Sequence, residues 1–489
     1  MSSTSNQNSF LALSILITLH HLIISITCNE EFHTLAISPR YIDKTHLLST
    51  FFRNTDTPYN YLTCPRLFGK SAILNMIETF AQVQVDRHGR PINWAETKAF
   101  EVFKNSKIHR FAGHILSQHM ARYPVILLDL HFDTIEGMYE PDIVAHLNEQ
   151  IQTCFKFTVM NEVNEDGAEG NSTFKPWNFT MNLQDVAFMR QVIQGRLSLP
   201  EIRNSLYRLS KILYNCFHHT KVIVLVDNYD SAAVKAMLTR HKQIGVNIFY
   251  DLVNTMLSQA STTGAEFIKY MLITGTSALP YYRDQWKLEN ITHRPFLDDH
   301  PFSEFCGFSQ QDVEQLFDKF ECDDSEKSSI KEFYNGYSTA FAQQAVYNPY
   351  SIRRYFQPED RTLRSFWKIK PRIETIVKFM PFRTFLENLF IPVITSNKMP
   401  TNFTLLKTYE TQSFGRMFEM LDLLKDIQDT HERLTRDRRV YDPIIHTFAF
   451  EQGYFTHSSN SSYAVPNQEV KQELVEKSLE YFSRKVYML

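Results

Sequence analysis

Charge of one sign is what this chain most plainly lacks: 51 basic and 54 acidic side chains in 489 residues leave a formal net charge of -3. No global field therefore steers it onto nucleic acid or an anionic membrane. Cysteine pairs of the C-x-x-C kind are missing too. Cys28, Cys64, Cys154, Cys216, Cys306 and Cys322 lie far apart, so no metal site is implied. Beyond residue 28 no apolar run is long enough to predict a membrane span. Internal repeats and extended low-complexity tracts are absent as well, which excludes solenoids and linker-like segments.

What is present is apolar material. A hydrophobic content of 43% with 39 phenylalanines is ample for a large core. The length suggests roughly two to four domains, and disorder is excluded for most of the chain. Residues Phe10 to Cys28 form an apolar run followed at once by Asn29, Glu30 and Glu31, which reads as a signal peptide over residues 1–28, cut near Thr27 or Cys28. No Lys or Arg precedes the run, and His20 with His21 interrupts it, so an uncleaved anchor or a buried amino-terminal helix competes. Five Asn-x-Ser/Thr sequons, at Asn171, Asn178, Asn290, Asn402 and Asn460, agree with a secreted or endoplasmic-reticulum glycoprotein. An oxidising lumen would allow one or two disulfides, and a cut after Cys28 would leave an odd cysteine.

Along the chain, short β-rich runs alternate with longer helical ones, the pattern of a parallel sheet flanked by helices. The strongest strands are Pro124 to Leu130, Val222 to Asp227 and Tyr270 to Thr274, each apolar throughout, as strands buried on both faces should be. Helical periodicity marks Pro141 to Phe155, Leu199 to Phe217 and Val246 to Ser261. The acidic stretch Asn161 to Asn182, with Gly167 and Gly170, reads as an exposed loop. The predicted organisation is an α/β core over residues 32–300, a helical lid over 301–360, and a helical and winged-helix-like region over 361–489.

Chemistry concentrates first in Leu62-Thr63-Cys64-Pro65-Arg66-Leu67-Phe68-Gly69-Lys70-Ser71, which follows a short strand from Tyr59 to Leu62 and opens a helix. Gly69 permits close backbone approach, the helix start offers N–H groups to phosphate, Lys70 adds a charge, and the Ser71 hydroxyl suits Mg²⁺. Cys64 occupies the place of the first glycine of a phosphate loop, and taken alone the triplet reads as a plain helix start. Val222 to Asp227 changes the balance: an apolar strand ending in an acid is a Walker B pattern, with Asp227 toward Mg²⁺. The next position, where a glutamate orients the attacking water, is Asn228. An amide cannot accept that proton, at a cost of about 10²- to 10⁴-fold in hydrolysis. Asp230 is a possible substitute, and the plainer alternative has Asp227 and Asp230 capping the next helix.

Together these pieces resemble the AAA-ATPase-like family of P-loop proteins, whose members often carry a restriction-like nuclease domain. Tyr41-Ile42-Asp43-Lys44-Thr45 is similar to the family's "YVDKT", and Cys64 to Ser71 to its "RPRRFGKS", which also lacks the first glycine. Val226 to Asp230 resembles "IDEYD", and Leu272 to Thr276 resembles the "LTGI" strand. Gly307-Phe308-Ser309, Phe333 to Tyr337 and Tyr347 to Ile352 resemble "FGFT", "WYNGY" and "YNPWSI". Gln452 to Thr456 and Val465 to Val470 resemble "QTGYLT" and "FPNxEV". The likeness covers about Glu31 to Tyr481. It implies a nucleotide site with Arg66, Gly69, Lys70 and Ser71 on ATP, Ser71 and Asp227 on Mg²⁺, and Thr274 as sensor of the γ-phosphate beside Asn228. Too few residues follow Val470 to expect a nuclease domain, so nuclease activity is not carried over.

The expected function is thus a secretory-pathway protein that binds ATP with Mg²⁺ and hydrolyses it weakly or not at all. The alternative is a secreted interaction protein that keeps the fold without using nucleotide. Arg433, Arg436, Arg438 and Arg439 beside His431 are interleaved by Glu432 and Asp437, so they read as a solvated helix face and no nucleic-acid partner is expected. His218 and His219 read as a surface turn, because adjacent residues face apart on a helix. Asn335-Gly336 and Asn348-Pro349 carry tight-turn chemistry.

Overall fold

The computed structural model describes residues 30–86, 90–132, 139–159, 182–239, 243–281, 288–296, 298, 300–338, 345–357, 361–367, 405–406, 413, 416, 438–458 and 462–486. At its centre is a five-stranded, all-parallel sheet built from β1 (Tyr59–Thr63), β2 (Val125–Asp129), β3 (Val222–Asp227), β4 (Ile268–Gly275) and β5 (Thr292–Pro295), in the order β2-β3-β4-β1-β5. Every residue of β1 and β3 is buried, the result expected when helices cover both faces of a sheet. β5 escapes sequence reading because Thr292-His293-Arg294-Pro295 has no apolar run and is only half-buried.

The helices follow from their periodicity. Helix Lys70–Ala81 buries Ile73, Leu74, Ile77 and Phe80 beneath the sheet, at about 1.5–3 kcal/mol per side chain. Helix Leu199–Cys216 starts where Glu201 accepts the Ser198 N–H at 2.9 Å with Pro200 in its first turn. It buries Ile202, Leu206, Leu209 and Leu213 and packs on helix Gln243–Ser261.

After β5 the chain leaves the sheet. Helices Gln310–Lys319, Asp324–Tyr334 and Pro349–Tyr355 gather around a separate core of Val313, Leu316, Ile330, Tyr347, Ile352 and Phe356, to which Ile42 contributes from the amino-terminal segment. Here two expectations are corrected. Asn335-Gly336 is not a tight turn but part of β6 (Asn335–Tyr337), paired antiparallel with β7 (Val346–Tyr347). Gly336 is needed for close approach, since a Cβ there would lie 1.7 Å from the Pro466 carbonyl oxygen. Asn348-Pro349 instead starts a helix, its Asn348 side chain accepting the Tyr350 N–H at 2.9 Å.

Helix Arg438–Glu451 is followed by an antiparallel ribbon of β8 (Thr456–Ser458) and β9 (Ser462–Ala464) and by helix Gln468–Val486. This segment packs back on the core: Glu451 accepts the Ser277 hydroxyl at 2.6 Å and the Ala278 N–H at 3.0 Å. At Gly453 a Cβ would come within 2.9 Å of Pro65. Among the described residues no helix is long and apolar enough to cross a membrane.

Candidate functional site

The loop between β1 and helix Lys70–Ala81 is shaped by backbone that side chains rarely allow. Leu67 (φ 68°) and Gly69 (φ 90°) both lie in the left-handed region. For Leu67 that costs about 1–2 kcal/mol, an amount of the same order as its neighbour Phe68 recovers by burial against Phe296 and Tyr337. The Lys70 ammonium donates to the carbonyls of Cys64 and Pro65 at 2.8 and 2.9 Å, which holds the loop closed over it. Burial lowers the Lys70 pKa to about 8, with Asp230 and Asp227 opposing and Arg66 adding.

Across the sheet the tip of β3 meets this loop. Asp227, 6% exposed, accepts the Ser71 hydroxyl at 2.5 Å and the Thr274 hydroxyl at 2.6 Å. The plainer alternative, in which Asp227 and Asp230 cap a helix, is not what the chain does. Asp230 is buried and accepts the N–H groups of Thr276 and Ser277 at 2.9 and 2.8 Å, so it braces the loop after β4 and is not open as a base. Burial raises its pKa. Gly275 must be glycine, because a Cβ would fall 2.4 Å from the Tyr61 hydroxyl and 2.9 Å from Asp230.

Asn228 also lies in the left-handed region (φ 56°). Its backbone N–H donates to Asp227 at 2.8 Å and its side-chain amide to Asp129, at the end of β2, at 2.8 Å. The Asp129 side chain reaches solvent, yet desolvation by its neighbours raises its pKa and the charge of Asp227 adds to it, against the hydrogen bonds from Asn228 and the His131 N–H.

Arg66, Gly69, Lys70, Ser71 and Asn228 border a cavity of about 300 Å³, together with Lys235 and, from the helix after β7, Arg353. Asp227 and Thr274 lie beneath it, joined to it through Ser71. A smaller cavity of about 90 Å³ shares Gly69 and Arg353 with the first and is walled by Phe32, Tyr41, Ile42, Met76 and Phe308. The Tyr41 to Thr45 segment is structural: Asp43 accepts the Lys107 N–H at 2.6 Å, and Lys44 pairs with Asp312 at 3.2 Å and donates to the Gly307 carbonyl at 2.8 Å.

Four features of this site were not read from the sequence. Cys64 is joined by a disulfide to Cys306, 242 residues away. Arg353 and Lys235 look like ordinary helix-surface cations. Asp129 did carry a signal, since Val125–Asp129 is a second apolar strand ending in an acid, as β3 is. His218 and His219 occupy a turn, with φ of 52° and 61°, and no group of three metal-binding side chains occurs among the described residues. Of the sequons, Asn290 is exposed in a turn, its amide donating to Ser261 at 3.2 Å. Asn171, Asn178, Asn402 and Asn460, the leader expected over residues 1–28, and Arg433 with Arg436 lie outside the described residues.

A parallel sheet in this strand order, with a phosphate-type loop after β1 and an acid ending β3, defines an α/β protein of the P-loop-like class. Within that class the chain belongs to the AAA-ATPase-like family: a family model described as a predicted AAA-ATPase matches residues 30–281. Comparison with curated proteins and with solved structures gives no match.

Proposed function

We propose that the protein binds ATP with Mg²⁺ and hydrolyses it slowly. The observation that carries this reading is the convergence on Asp227 of two hydroxyls, one from the loop helix and one from β4. Arg66, Lys70 and the first N–H groups of helix Lys70–Ala81 would hold the phosphates, with Thr274 as sensor. Ser71 and Asp227 form a hard-oxygen donor set that fits Mg²⁺. The metal would neutralise phosphate charge when bound. Arg353, bordering both cavities, adds a cation from the lid side, and the apolar walls of the smaller cavity suit a purine base. Asn228 at the position after Asp227 accounts for slow turnover.

A second reading, an interaction protein without nucleotide use, draws support from Lys70 being already bonded to its own loop. Titrating a fluorescent ATP analogue with Mg²⁺ into the unaltered chain and Lys70→Ala separates the two. Saturable binding weakened at least about tenfold by the substitution is the expected result, and equal weak signals from both would establish the inert scaffold. The same proposal sets the protein in the secretory pathway, as a secreted or endoplasmic-reticulum glycoprotein. The buried disulfide and the exposed Asn290 sequon support that placement.

A further inference from the structure

Two neighbouring strands end in carboxylates at the carboxyl edge of the sheet. Asp129 of β2 stands opposite Asp227 of β3 in the ladder. Between them, Asn228 turns its side-chain amide onto Asp129 at 2.8 Å, and the His131 N–H fixes the same carboxylate oxygen at 2.9 Å. Asn228 borders the larger cavity, and Asp129, exposed to solvent and outside that lining, is linked to it through the Asn228 amide. The other acids are committed. Asp227 holds Ser71 and Thr274, and Asp230, the only carboxylate among the described residues bordering that cavity, is bound to two backbone N–H groups.

We propose that Asp129 is the general base for nucleotide hydrolysis, acting beside Asn228 in place of the acid missing after Asp227. This deepens the ATP-binding reading and rests on it. The Asn228 amide nitrogen keeps Asp129 in place while its carbonyl oxygen accepts a hydrogen bond from the attacking water. Asp129 takes one proton from that water as the water oxygen bonds to the γ-phosphorus. The bond from the γ-phosphorus to the bridging oxygen breaks, and its electron pair leaves on the nucleoside diphosphate. Inorganic phosphate and the diphosphate are the products, and Asp129 returns its proton to solvent. The acid thus stands at the end of β2 and the amide directly after β3.

The test uses the full chain with Mg·ATP for phosphate release and a fluorescent ATP analogue for binding. Asp129→Asn keeps an acceptor for the Asn228 amide, so analogue affinity should stay within about twofold while phosphate release falls by about 10²-fold or more. The exchange variant, Asp129→Asn with Asn228→Glu, should restore release. Asn228→Glu alone should gain less, because it sets two carboxylates side by side. Unchanged release in Asp129→Asn, or analogue binding by the unaltered chain with no release above background, would overturn the assignment while leaving nucleotide binding intact. Failure of the unaltered chain to bind the analogue would sink both.

Discussion

At the scale of single residues, the site depends on contacts with no room for adjustment. Gly275 lies where the Tyr61 hydroxyl and the Asp230 carboxylate converge. Both are fixed, Tyr61 by its bond to the Ser277 carbonyl at 2.6 Å and Asp230 by the Thr276 and Ser277 N–H groups. A methyl group there must displace one of them, and overpacking of this kind costs about 1–3 kcal/mol. Gly275→Ala is therefore expected to lower the unfolding free energy by that amount, seen as a lower urea midpoint at an unchanged slope. A midpoint equal to the unaltered protein would show that Tyr61 can move aside. The same reasoning explains why Asn228 tolerates a left-handed backbone: Asn adopts it more readily than most residues, and two hydrogen bonds hold it there.

At the scale of elements, helix Gln468–Val486 is tied to helix Pro349–Tyr355 by a buried acid. Glu469, fully buried, accepts the Ser351 hydroxyl and the Phe366 N–H, both at 2.9 Å. Burial raises its pKa to about 8, with Glu473 one turn on adding to the shift and the two hydrogen bonds opposing it. Because the folded value exceeds the unfolded one, the folded state binds the proton more tightly. The stabilisation is complete below the ordinary carboxyl range and is lost as pH rises toward 8. Unfolding free energy should fall across that window with a slope approaching about 1.4 kcal/mol per pH unit from this group. Glu469→Gln should flatten the slope, and a variant with the original pH dependence would assign it elsewhere.

At the scale of the whole molecule, one covalent bond closes about half of the chain. The Cys64–Cys306 disulfide joins the phosphate-type loop to the segment that leads into helix Gln310–Lys319, across 242 residues. Closing so long a loop removes unfolded-state entropy worth about 5 kcal/mol at most, and about 2–5 kcal/mol is usual for a native bridge. Reduction, or Cys306→Ser, should lower the melting temperature by several degrees, about 2–4 °C per kcal/mol at this size or less. Peptide mapping of protein recovered from a secretory host should find the Cys64–Cys306 pair oxidised. Free thiols at both positions would argue against the proposed compartment.

Much of the molecule was legible in its sequence. Strands β1 to β4, the loop ending in Gly69-Lys70-Ser71, the acid at Asp227 and the amide at Asn228 all follow from local rules. Continuous apolar runs mark strands covered on both faces, and small residues mark a backbone that must approach a ligand. Other features had no local signature: β5 without an apolar run, the bridge from Cys64 to Cys306, Arg353 at the cavity wall, Glu451 on the loop after β4, and the Asn228 amide on Asp129. Each joins residues far apart in the chain, and only the order of strands and the packing of the crossovers decides which of them meet. Sequence periodicity governs which face of an element is buried, while the partner on the other side of that face is a property of the assembled fold.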